Sequence, residues 1–190
     1  EMKDILVIRE LAAEYAQAAY SDKNKEKIRL HKAVNDLHMI RPIVLIDEIP
    51  WGEMETGDEL TLRCADEDLR KLERRLRRIL FQWRHMPADM VLPDYIGVEK
   101  VIHSTGIGVE VEEELIEGEQ ISSHKYHNVF REKGPDMLHD PVITYDRQET
   151  GRQWEKVGEA VGDILPVKLV GEATGYGLGC KTWDTIATLM

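Results

Sequence analysis

Asp66-Glu67-Asp68-Leu69-Arg70-Lys71-Leu72-Glu73-Arg74-Arg75-Leu76-Arg77-Arg78-Ile79-Leu80-Phe81-Gln82-Trp83, followed shortly by Met90-Val91-Leu92-Pro93-Asp94-Tyr95, is the stretch that sets the fold class. Leu69, Leu72, Leu76, Ile79, Leu80 and Trp83 recur at helical spacing and make one apolar stripe. Asp66 stands where an N-cap is needed, because its carboxylate can accept from a backbone N–H of the first turn. Met90-Val91-Leu92 is a short apolar run closed by proline, the pattern of a buried strand. A helix feeding a strand is half of a β/α repeat. Arg70, Lys71, Arg74, Arg75, Arg77 and Arg78 cover the other faces of the helix. They fit an anionic partner or, as the preferred reading, a solvated face whose arginine stems lie over the core.

The alternation continues on both sides. Ile5, Ile8, Leu11, Ala12, Tyr15, Ala16 and Ala19 give a first helix over residues 4–20. Asn24 can cap a second, which carries Ile28, Leu30, Ala33, Val34 and Leu37 and should stop before Arg41-Pro42, since the residue before proline avoids the α region. Ile43-Val44-Leu45-Ile46 is rich in β-branched residues and reads as a strand. Downstream, 99–102 read as a short helix and the glutamate-rich 110–119 as a solvated loop or edge hairpin. Residues 149–164 read as a helix with Trp154, Val157, Ala160, Val161 and Ile164 on one side. Val167-Lys168-Leu169-Val170 reads as a strand entering a glycine-rich loop, after which Thr182 can cap a closing helix. Helix and strand in alternation argue for a parallel α/β architecture.

Composition excludes several classes. The chain has 190 residues, 42% hydrophobic and 32% charged, ordinary for a folded domain. No apolar run approaches the roughly 20 residues of a membrane span, and the opening Glu1-Met2-Lys3-Asp4 lacks the basic and apolar sections expected of a signal peptide. A net charge of −11 disfavours nucleic acid as a partner. Two cysteines, Cys64 and Cys180, make no disulfide framework, so a reducing cytoplasm is expected. A first residue that is not Met, and a helix starting near Trp183 without a stop signal, give the expectation that both ends are cuts.

Acidic and aromatic residues gather just after the expected strands: Asp47, Glu48 and Trp51 after the first, Asp94 and Tyr95 after the second, Glu172 and Tyr176 after the third. In a parallel barrel the C-terminal strand ends converge on one mouth, where active sites form. The alternative is that each is a helix cap or a loop residue. Gly175-Tyr176-Gly177-Leu178-Gly179 lacks the spacing of a dinucleotide loop, and Gly179-Cys180-Lys181-Thr182 lacks the glycine directly before lysine that a phosphate loop needs. His124 and His127 have no third ligand at convincing spacing, so no metal site is expected here. Cys180 is an outside candidate for a thiolate ligand.

The order of several motifs resembles the uroporphyrinogen decarboxylase superfamily. Arg41-Pro42-Ile43-Val44-Leu45-Ile46 is similar to the Arg-Pro-Pro-Val-Trp opening of those enzymes, and Asp89-Met90-Val91-Leu92-Pro93-Asp94-Tyr95-Ile96 to their first barrel strand with its terminal Ser-Asp-Ile. Gly106-Ile107-Gly108-Val109-Glu110-Val111 is similar to the Gly-Met-Glu-Val stretch that follows there. Val167-Lys168-Leu169-Val170-Gly171, with Trp183 downstream, resembles the second strand and the Gly-Ala-Pro-Trp-Thr turn. The likeness spans about residues 41–190. Where the decarboxylases have Arg-Gln-Ala-Gly-Arg to grip an acidic tetrapyrrole, this chain has Asp47-Glu48-Ile49-Pro50-Trp51, whose carboxylates would repel it. That segment, with Phe81-Gln82-Trp83-Arg84-His85-Met86, is closer to the superfamily branch from anaerobic bacteria grouped with corrinoid-dependent methyltransferases.

The resemblance implies a fold and a function. The fold is α/β, the N-terminal part of a (β/α)8 (TIM) barrel: a helical extension over 1–40, then 41–190 as an incomplete barrel, since a complete one takes about 250 residues. The open sheet edge would take the remainder of the barrel or a second copy. The parent would be a methyltransferase acting between a corrinoid protein and a small methyl donor or acceptor, with zinc held beyond residue 190. This fragment alone would be inactive and would bind no cofactor. The alternatives are a decarboxylase or other lyase of a smaller acid, and a non-catalytic interaction or assembly module. Asp94 matches the aspartate that ends the decarboxylases' first strand and is the leading catalytic candidate, with Glu48 and Glu172 beside it. Trp51, Tyr95, His103 and Tyr176 are the substrate-binding candidates.

Overall fold

The computed structural model describes residues 2–54, 57–108, 112–116 and 123–171. The chain divides into two compact units, Glu1–Val98 with Thr150–Leu169, and Glu99–Glu149 with Val170–Met190.

The first unit is a helical layer packed on a short parallel strand pair. Helix α1 (Met2–Tyr20) and helix α3 (Glu67–His85) pack together along their apolar stripes. Ile8, Leu11, Ala12 and Tyr15 meet Leu69, Leu72, Leu76 and Leu80 in one cluster. Asp66 caps α3 as expected, accepting from the Leu69 N–H at 3.0 Å. Helix α2 (Asp22–Asn35) is capped by Ser21 and not by Asn24. Asn24 is instead fully buried: its amide donates to the carbonyls of Ala19 and Leu92, and its oxygen accepts from the Leu92 N–H at 2.9 Å.

That clamp explains why Met90–Leu92 is no strand. Both backbone groups of Leu92 are taken by a side chain, and the strand forms further on as β1 (Ile96–Glu99). Ile43–Ile46 also has no strand partner. Val44 exchanges bonds with Asp89, its N–H to the carboxylate and its carbonyl from the Asp89 N–H, while the Ile46 carbonyl accepts from Gln82. Arg41 holds the same Asp89 carboxylate through two 2.6 Å bonds. These bonds satisfy both backbone groups of Val44 and the Ile46 carbonyl without a sheet, and Val44, Leu45 and Ile46 remain exposed.

Helix α5 (Arg147–Val161) lies close to the expected 149–164 and buries Val157, Ala160 and Val161, although Trp154 stays largely exposed. Lys156 bonds Asp66 and Asp68, and Arg152 bonds Asp68, which ties α5 to the first turn of α3. Strand β6 (Val167–Val170) follows α5 and pairs with β1. Ile96 N–H donates to Pro166 and Lys100 N–H to Val170, so partners advance in the same direction and the pair is parallel.

The second unit is built of exposed antiparallel pairs. Strand β2 (Val101–Ser104), where a helix was expected, pairs with β5 (Ile143–Asp146). Within the glutamate-rich segment, β3 (Glu113–Ile116) pairs with β4 (Ser123–Tyr126), as in the hairpin alternative. Helix α4 (Val129–Lys133) and a 3-10 turn at Pro135–Met137 follow. Gly108, at φ +88°, lies so close to the Met137 carbonyl that any Cβ there would collide with it. Among the described residues the sheets are three two-stranded pairs, and none closes into a barrel.

Candidate functional site

The shift of the strand to Ile96–Glu99 changes what Asp94 can be. Asp94 is exposed and Tyr95 half-buried, both on the N-terminal side of β1, not after it. At the C-terminal end of β1 stand Glu99 and Lys100. Asp94 and Tyr95 border the buried Tyr15. Burial raises the Tyr15 phenol to about 12, with the charges of Tyr95 and Asp94 adding to the rise and Arg75 opposing it. The Lys168 ammonium lies 4.3 Å from the Tyr95 ring centroid, a cation–π contact.

Glu48 is exposed in the irregular segment 42–50 and follows no strand. Trp51 begins a turn fixed by its N–H to the Ile49 carbonyl at 2.8 Å. Its ring meets Phe81 edge-on at 6.0 Å and carries the Arg78 guanidinium at 5.2 Å. His103 is exposed on β2 opposite Thr144, in the second unit. Glu172, Tyr176 and Cys180 lie outside the described residues. The structure thus brings Asp94 and Tyr95 to one corner and Trp51 to the flank of α3.

The arginines of α3 separate into two kinds. Arg77 is buried with Glu73: its Nε donates to the carboxylate at 2.8 Å, and Arg63 and Cys64 add backbone N–H bonds. Burial alone would raise the Glu73 pKa, but the Cys64 and Arg63 N–H groups and Arg77 together lower it. Burial, followed by the neighbouring Glu73, pushes the Cys64 thiol up to about 12, a protonated and unreactive state. Arg77 therefore does not belong to the solvated face expected of it. Arg74 and Arg78 do face solvent. With Lys71, Arg75, Ile79, Gln82 and Trp51 they line a cavity of about 300 Å³. Their spacing was visible in the sequence, but the cavity depends on Trp51, which belongs to a distant loop.

Among the described residues, no group of three or more His, Cys, Asp or Glu side chains gathers as a metal site.

No protein-family model matches the chain, and searches of curated proteins and of solved structures likewise find no match. No helix of the described residues is long and apolar enough to cross a membrane.

Proposed function

We propose that this chain supplies the first β/α unit of a barrel similar to the uroporphyrinogen decarboxylases, and that the complete protein is a cytoplasmic methyltransferase working with a corrinoid protein. The observation that carries this reading is the parallel pairing of β1 with β6, with α5 in the connection between them. Those strands fall at or beside the two stretches, 89–96 and 167–171, that resemble the first and second strands of that family. A second observation agrees. Leu169 on β6 is 44% exposed, whereas the strands of parallel sheets are normally covered on both faces. The reading leaves that face, and the free edges of the pair, to the remainder of the barrel.

Within this reading the mouth lies at the C-terminal end of β1. Glu99 is then the described carboxylate best placed to manage protons at the site, and Asp94 supports the opposite end. The test is to mix the full-length protein with a methylated corrinoid protein and candidate thiol acceptors and to follow the cobalt spectrum. Loss of the methylcobalt bands with methylation of an acceptor is expected. An unchanged spectrum, with carbon dioxide released from a small acid instead, would replace methyl transfer by decarboxylation.

A further inference from the structure

We infer that the groove between Trp51 and the outer face of α3 is a binding site for a small multivalent oxyanion, a phosphate ester or a polycarboxylate. The inference does not rest on the barrel reading. Lys71, Arg74, Arg75 and Arg78 sit at i, i+3, i+4 and i+7, so all four lie on one face of α3. Like charges one turn apart destabilise a helix. The chain as a whole is strongly acidic, at −11, yet α3 concentrates cations here. Lys71 has an exposed bond to Glu67 at 3.1 Å, and Arg75 donates to the Gly97 carbonyl at 2.8 Å. Among the described residues, neither Arg74 nor Arg78 meets a carboxylate.

The aromatic wall makes this more than a charged surface. The Arg78 guanidinium lies over the Trp51 ring at 5.2 Å from its centroid, and Phe81 meets Trp51 from the edge. A guanidinium held by a cation–π contact loses side-chain freedom but keeps N–H donors, and these can bind phosphate or carboxylate in bidentate fashion. Arg74, one turn away, supplies a second fork to the same hollow. Trp51, Arg74 and Arg78 also line an adjoining hollow of about 130 Å³, so a ligand larger than one phosphate group fits across them. Ile79 gives the apolar floor against which a carbon skeleton can rest.

The experiment is calorimetric titration of the 190-residue chain with inorganic pyrophosphate, with citrate and with a hexaglutamate peptide, in wild type and in Arg74→Gln, Arg78→Gln, Trp51→Leu and Lys32→Gln. Circular dichroism checks that each variant is folded. Pyrophosphate or citrate is expected to bind, the tighter one naming the source. Arg74→Gln and Arg78→Gln should each weaken that binding by about tenfold or more, the scale of a charged hydrogen bond. Trp51→Leu should weaken it without changing the charge, and Lys32→Gln, on α2, should leave it unchanged. Equal weakening in Lys32→Gln would overturn the site in favour of diffuse charge. Tightest binding by the peptide would overturn the small-anion assignment, and no binding of pyrophosphate or citrate by wild type would overturn the inference altogether.

Discussion

The parallel pair β1–β6 and the antiparallel pairs β2–β5 and β3–β4 use strands of the same length under opposite conditions. In β1, Ile96 and Val98 are buried in the main cluster. In β3 every residue is exposed, and β4 and β5 are nearly so. Parallel strands need a long crossover, and the helix that makes it covers the sheet. Antiparallel strands need only a turn and can stand in water. Strand β1 is therefore part of the core, and the antiparallel pairs are excursions whose sequence is freer. Their substitutions should separate accordingly.

The largest effect is expected at the core end of this comparison. Ile96→Ala removes a side chain only 3% exposed, and its midpoint in urea should fall by the equivalent of about 2–4 kcal/mol. Next is the clamp that sets where β1 begins. Asn24→Ala leaves the Leu92 N–H and carbonyl without their partner, and a loss of about 1–3 kcal/mol is expected in the same assay.

The third test is acid. Asp89 is held well below the ordinary carboxylate range, first by its bond from Arg41 and then by the Val44 N–H. A depressed carboxylate stabilises the fold above its unfolded pKa of about 4 and loses that contribution as pH falls through the folded value. Thermal melting followed from pH 5 downward should show a steady fall, and Asp89→Asn should flatten its slope. An unchanged slope would mean that the Arg41–Asp89 pair contributes nothing. The smallest effect belongs to the antiparallel pairs: Ile143→Ala, at a residue 60% exposed on β5, should change stability by no more than about 0.5 kcal/mol. A loss as large as that of Ile96→Ala would erase the distinction between the pairs.

Local signals made the helices legible. The stripe from Leu69 to Trp83 and the Asp66 cap lie within α3 itself, so periodicity alone could find them. Strand β6 was equally plain, closed by Gly171 after a β-branched run. Met90–Leu92 misled because its fate is set by Asn24, 68 residues away, whose one side chain satisfies both backbone groups of Leu92. Ile43–Ile46 misled for the same reason, through Asp89 and Gln82. Asp94 was placed after a strand that forms elsewhere, which is why its end of the pair is reversed. On α3, Arg77 and Arg78 are adjacent and chemically identical, and only the packing of Glu73 on one and Trp51 on the other tells them apart.

If the proposed methyltransferase reading holds, the same reversal gives a kinetic comparison in the longer protein that reading requires: Glu99→Gln should lower turnover by about 10²–10⁴, the cost of a lost proton-transfer group, while Asp94→Asn should be close to wild type. The opposite order would return the mouth to Asp94.

The proposal that the parallel pair starts a barrel is tested most directly by amide hydrogen exchange at Val167–Val170, measured in the 190-residue chain and in the full-length protein that the proposal requires. If a further strand joins β6, its amides that face away from β1 should exchange rapidly in the chain alone and be protected in the full-length protein. Equal exchange in both would contradict the reading, because the edge of β6 would then have no strand to receive.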